Sequence, residues 1–96
     1  MPARVQTPRG AYVLSAIGEP VRVDTGALIT LSLERADGIE RIAFRCVVPD
    51  PALAQEDAIE KRLAPWIERQ FEPLREAALK SIRSEGKLLQ ISFDGR

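Results

Sequence analysis

Apolar side chains recur at steps of mostly three or four along 59–82: Ile59, Leu63, Trp66, Ile67, Phe71, Leu74, Ala78 and Ile82. At 3.6 residues per turn they line one face of a helix. The stripe stays in phase as it passes Pro65 and Pro73. Upstream the period changes to two. Ala27 to Arg35 and Ile39 to Val48 alternate apolar and polar positions on either side of Asp37-Gly38, a pair that predicts a hairpin with a two-residue primed turn. That turn sets facing residues whose numbers sum to 75. Arg35 then faces Glu40 and Glu34 faces Arg41, while Leu33–Ile42, Leu31–Phe44 and Ile29–Cys46 form apolar pairs on one face. A slip of one residue would mismatch every pair.

Other segments follow from local signals. Residues 1–10, with two prolines and two arginines, read as a flexible arm or the lead-in to a strand, and 11–96 as a single α+β domain. Ala11 to Ile17 is apolar and partly β-branched, Gly18-Glu19-Pro20 is a turn signal, Val21-Arg22-Val23 alternates, and Asp24-Thr25-Gly26 turns again. Asp50 suits a helix N-cap with Pro51 behind it, and Gly86 suits the left-handed residue that ends a helix. Leu89, Ile91 and Phe93 share one face of a last strand. A straight helix over 51–85 would span ~52 Å, whereas a compact chain of this size has a radius of gyration of ~12–13 Å. The helix must therefore bend, break or project from the body, with Pro65 and Pro73 the obvious places for a bend or break. Neither proline is preceded by a cap residue or a glycine, which with the unbroken stripe favours kinks over a helix–turn–helix.

Composition narrows the function classes. Fourteen basic residues balance fourteen acidic ones, and each half of the chain is neutral by itself. Nonspecific binding to nucleic acid or anionic membranes usually shows as a basic excess. A lone cysteine, Cys46, excludes an internal disulfide and points to a cytoplasmic location. Met1-Pro2-Ala3-Arg4 lacks the apolar run of a secretion signal, and no stretch approaches the ~20 apolar residues of a membrane span. Histidine is absent, which removes the commonest general base and metal ligand.

Candidate chemistry is correspondingly thin. Cys46 has no histidine to activate it and alternates inward with Phe44 and Val48, as a buried small hydrophobe does. Glu56, Asp57 and Glu60 stand beside Lys61 and Arg62 and read as a solvated helix face, not metal ligands. Asp57–Lys61, Glu76–Lys80 and Glu72–Arg75 are spaced as ion pairs along a helix. No catalytic residue, metal site or cofactor is assigned; carboxylates, Lys, Arg and Tyr12 are the only reactive side chains left. Two surfaces stand out. Trp66, Ile67, Phe71 and Leu74 form the aromatic-rich centre of the stripe, either core or an interface for a protein partner or a second copy. Arg41 and Arg45 project from the opposite sheet face, with Thr30, Ser32 and Glu34, as an alternative nucleic-acid surface on which Glu34 offsets Arg41.

Gly38, Cys46-Val47-Val48, Leu53, Phe71 followed four residues later by Arg75, Gly86, Ile91 and Asp94 resemble positions in a family of short bacterial proteins of unknown function. The resemblance spans 27–94 and implies a small sheet, a long helix and a closing strand, with no activity attached.

The expected architecture is an antiparallel meander of three or four strands, one long Pro-kinked helix packed across it, and a C-terminal strand that rejoins the sheet. The inner layer should hold Ile29, Leu31, Leu33, Ile42, Phe44, Cys46, Ile59, Leu63, Ile67, Phe71, Leu74, Leu89, Ile91 and Phe93. The expected role is a non-enzymatic interaction or self-association module using the Trp66/Phe71 face, with nucleic-acid binding through Arg41 and Arg45 as the alternative.

Overall fold

The computed structural model describes residues 3–94. The fold is α+β. Five strands, β1 (Ala3–Thr7), β2 (Gly10–Val23), β3 (Gly26–Arg35), β4 (Arg41–Val48) and β5 (Leu89–Ser92), form one sheet in the order β1-β2-β3-β4-β5. The first four make an antiparallel meander, and β5 joins β4 in parallel. A parallel neighbour needs a long crossover. Here the crossover is a 3-10 turn (Pro51–Ala54) followed by helical segments α1 (Glu56–Ala58), α2 (Ala64–Arg69) and α3 (Phe71–Glu85). These cover one face of the sheet only: α2 packs on β1, and α3 on β4 and β5.

The β3–β4 register is the expected one, from Ala27↔Val48 to Glu34↔Arg41. The turn differs. Only glycines have positive φ among the described residues, so Asp37 does not take the left-handed conformation that a primed turn requires. Instead Gly38 N–H donates to the Arg35 carbonyl at 2.8 Å and Arg35 N–H to the Glu40 carbonyl at 2.8 Å, which makes a four-residue loop. The Asp37 carboxylate directs it by accepting from Ile39 N–H at 3.0 Å and from Arg35 Nε at 2.9 Å. Both loop types put residue 35 opposite residue 40, so the register survives the change of turn.

Two segments are more regular than their local signals imply. The expected arm over 1–10 contains, within the described residues, the edge strand β1, held because Ala3 and Val5 are buried. Gly18-Glu19-Pro20 is not a turn but an irregularity inside a 14-residue strand, with β3 paired on both sides of it.

The helix resolves its length problem in two steps, each within a turn upstream of a proline. A straight helix over 56–85 would run ~45 Å, longer than the molecule's largest extent of 34 Å. Pro65 supplies no amide for the carbonyl of residue 61, and its ring crowds that carbonyl. The preceding turn widens to π geometry over Ile59–Leu63, where Ala64 N–H reaches the Ile59 carbonyl. The second step is Gln70, which leaves helical geometry at φ −126°, ψ 25°. Its N–H turns to the Ile67 carbonyl at 3.1 Å, and its side-chain amide donates to the abandoned Trp66 carbonyl at 3.3 Å. The expected single kinked helix is thus broken into α2 and α3 at one residue. It also starts later than Pro51, because Gln55 is extended after the Asp50-capped 3-10 turn. Gly86, at φ 66°, closes α3 as expected.

The core lies between the sheet and these helices. It contains twelve of the fourteen expected inner residues, with Leu89 and Ile91 only partly buried at the edge. Ala3, Val5, Tyr12, Leu14, Ala27, Val48, Ala64, Trp66 and Ala78 complete it.

Gly26 lies close against the end of β4: a Cβ built there lies 1.9 Å from the Val48 carbonyl oxygen, at φ 143°. Gly26→Ala is expected to destabilise the fold by at least ~2 kcal/mol, measured as a lower urea midpoint.

Candidate functional site

The outer face of the sheet has no helix over it, and register sets its side chains in rows. Arg4, Val13, Glu34 and Arg41 form one row across four strands. Ser15, Ser32 and Ala43 form the next. Ile17, Thr30, Arg45 and Gln90 form a third. A band of small residues thus runs between two rows of larger ones. Arg41 and Arg45 lie ~13 Å apart along β4, and Arg4 lies three strand spacings, ~14 Å, from Arg41. All three arginines are exposed, and among the described residues none makes a hydrogen bond or ion pair. Glu34 stands opposite Arg41 in register but forms no ion pair with it. Tyr12, Phe44, Trp66, Phe71 and Phe93, the chain's five aromatic residues, are all buried in the core, so the outer face carries no ring for stacking on a base.

The stripe centre sits elsewhere than a docking surface requires. Trp66, Ile67, Phe71 and Leu74 are all buried in the chain's own core, at 7%, 0%, 2% and 6% exposure. Trp66 donates its indole N–H to Asp94 at 2.9 Å and meets Phe93 edge-on at 5.0 Å. Phe71 packs against Tyr12 at 4.8 Å. The Trp66/Phe71 interface reading is therefore corrected: the sheet already occupies that face. Ile82, at the end of the stripe, remains 46% exposed.

A polar cluster closes one end of the core. Arg75 holds Glu40 through Nε at 2.9 Å and a second nitrogen at 2.7 Å, and Tyr12 donates its hydroxyl to the same carboxylate at 2.5 Å. The guanidinium first, and the phenol second, hold the Glu40 carboxyl down at about 2. Burial first, then the bond to Glu40, raises Tyr12. Neither group exchanges a proton near neutrality, so the cluster works as a clamp between the β3–β4 loop and α3. Arg35, expected to pair with Glu40, bonds Asp37 instead. Glu72 takes Arg9 at 2.9 Å and Glu76 takes Arg75 at 3.3 Å, in place of the expected Glu72–Arg75 and Glu76–Lys80 pairs. Asp57–Lys61 forms as expected, at 3.2 Å. Sequence reasoning missed the clamp, although a signal was present: Glu40 shares strand parity with the buried Ile42 and Phe44, and a carboxylate there needs a partner.

The remaining candidates carry little chemistry. Cys46 is fully buried, and burial pushes its thiol up to about 12. An open depression of ≈ 350 Å³ beside the end of β1 is lined mainly by Ala3, Leu14, Ala16, Ala54 and Ile59, with Glu56 as its one titratable side chain. No group of three or more metal-ligating side chains occurs among the described residues, and none of their helices is long and apolar enough to cross a membrane. Comparisons of the chain with protein-family models, with curated proteins and with solved structures find no match.

Two outcomes follow. Phe71→Asp should unfold the protein instead of yielding a folded, association-deficient monomer; loss of the near-ultraviolet circular dichroism of the native state is the readout. Glu40 has a lower pKa folded than unfolded, so its contribution is full above pH ~4.5 and disappears as pH falls towards 2. Glu40→Gln should lose on the order of 2 kcal/mol at neutral pH and flatten the stability curve across that acid window, measured by denaturant titration at each pH.

Proposed function

We propose that this chain is a non-enzymatic cytoplasmic binding module that meets a protein partner through the open face of its sheet. The observation that carries the reading is the pairing state of Arg4, Arg41 and Arg45: three exposed guanidiniums on one flat face with no carboxylate engaged. Arg9 and Lys61 engage carboxylates, whereas Arg22, Arg62, Arg69, Lys80, Arg83 and Lys87 are, like these three, exposed without an ion pair among the described residues; what sets Arg4, Arg41 and Arg45 apart is that they share one sheet face. Arginine is a common interface anchor because its planar fork bonds carboxylates in pairs. The small row of Ser15, Ser32 and Ala43 lets a partner's backbone come close between the two arginine-bearing rows. The partner should be acidic where it covers Arg41 and Arg45.

The same arginines favour a second reading, contact with the phosphates of a nucleic-acid duplex. The lack of aromatic residues on this face and Glu34 beside Arg41 weigh against it. Affinity capture with the wild type and with the Arg41→Glu/Arg45→Glu variant separates the outcomes. The expected result is a protein retained by the wild type and lost by the variant, with stability lowered by no more than ~1 kcal/mol, since both positions are exposed and the like-charge pair created opposite Glu34 is a small cost. An identical capture profile overturns the reading. Salt-steep retention of a DNA duplex, lost in Arg45→Glu, moves the assignment to nucleic acid.

A further inference from the structure

We propose that β5 is a strand-pairing edge and that its occupant is β5 of a second copy of this chain. The inference uses a different surface from the arginine face and does not rest on it.

The borders of the sheet are treated unequally. On β1 the outward amide of Gln6 donates to the Glu68 carboxylate at 3.1 Å, so a side chain of α2 fills that edge. Beyond the reach of β1, the free border of β2 carries Pro20 and a register shift between Ile17 and Val21. A missing donor and a local irregularity both discourage pairing. β5 has neither device. Phe93 N–H donates to the Val47 carbonyl at 2.8 Å. By alternation, Gln90 and Ser92 turn their backbone N–H and C=O groups to the open side. Both residues are exposed, and the strand reads Leu-Gln-Ile-Ser without charge or proline.

The apolar side of β5 is also unfinished. Leu89 and Ile91 point to the core face, yet both remain only partly buried, while Phe44 and Cys46 beside them on β4 are fully buried. What they lack is a neighbour beyond the edge. An antiparallel two-fold pairing that satisfies the outward groups sets Gln90 opposite Ser92 of the second copy. It therefore brings Ile91 against its own counterpart on the axis, on the core side. No other segment need be supplied: the strand complements itself.

The flank of α3 fits the same axis. An open depression of ≈ 350 Å³ runs along α3 and β5, lined by Ala77, Lys80, Ser81, Ser84, Glu85 and Leu89. Its small side chains leave room for α3 of the copy. A short strand and one helix flank place the interface at the small end of stable complexes, ~1,000 Å². The dimer should therefore depend on concentration.

The test is the solution mass by sedimentation from micromolar concentrations to ~1 mM. Wild type should move from 10.6 kDa towards twice that mass. Gln90→Pro should stay monomeric throughout with an unchanged circular dichroism spectrum, because the amide it removes faces away from β4. Ile91→Lys, which places a charge on the axis at a half-exposed position, should also stay monomeric and decides the matter if the proline variant misfolds. A wild type that remains at 10.6 kDa up to ~1 mM overturns the proposal. So does a dimer that survives both variants. A dimer broken by Arg41→Glu/Arg45→Glu but kept in Gln90→Pro also overturns it, and assigns self-association to the open face. An identical capture profile for the wild type and Arg41→Glu/Arg45→Glu, with the β5 dimer intact, would strike the proposed function alone.

Discussion

The fold depends on bringing an apolar helical stripe that passes two prolines onto one face of the sheet. Each buried large side chain of that stripe is worth ~1.5–3 kcal/mol only if it reaches the sheet. A straight helix over 56–85 would run ~45 Å, past the molecule's largest extent of 34 Å. The π turn before Pro65 and the single non-helical residue Gln70 before Pro73 bring both halves back. Both prolines are exposed, so the missing donors lie on the solvent side. The breaks direct α2 to β1 and α3 to β4 and β5, and the return from α3 makes the last strand parallel.

The same layering divides the molecule chemically. One sheet face and every aromatic ring are used for packing, and the charged residue placed on that side, Glu40, is clamped by Arg75 and Tyr12. The other face keeps its arginines without partners. Reactive chemistry is scarce on both sides: the thiol is buried and its pKa raised, and the clamp's groups are held far from neutral titration. What the described surface presents is an arginine-bearing sheet face and the outer edge of β5.

Much of this was legible in the sequence where a local pattern sufficed. Alternation and opposite-charge pairs gave the β3–β4 register, and Asp50 and Gly86 marked their turns. The failures share a cause, which is competition from distant groups. Asp37-Gly38 looks like a primed turn until Arg35 and the Ile39 amide claim the carboxylate. Glu72 and Glu76 look like helix-surface partners until Arg9 arrives from another element and Arg75 turns to Glu40. Trp66 and Phe71 look equally apt for a core or an interface, because periodicity identifies an apolar face without identifying what covers it. The open arginine face was named from strand parity, but that Glu34 leaves Arg41 unpaired depends on side-chain geometry that register alone does not determine.

The parallel seat of β5 also has a consequence in time. Phe44 and Leu89 are neighbours in the sheet yet roughly 45 residues apart along the chain, whereas the meander pairs strands joined by short turns. Closing so long a loop is entropically slower than closing a hairpin. Loop-closure entropy thus favours the hairpin pairings of the meander over the β4–β5 pairing. Wherever the meander stands without β5, β4 is the border of the sheet, with an edge of 8 residues against the 4 of β5.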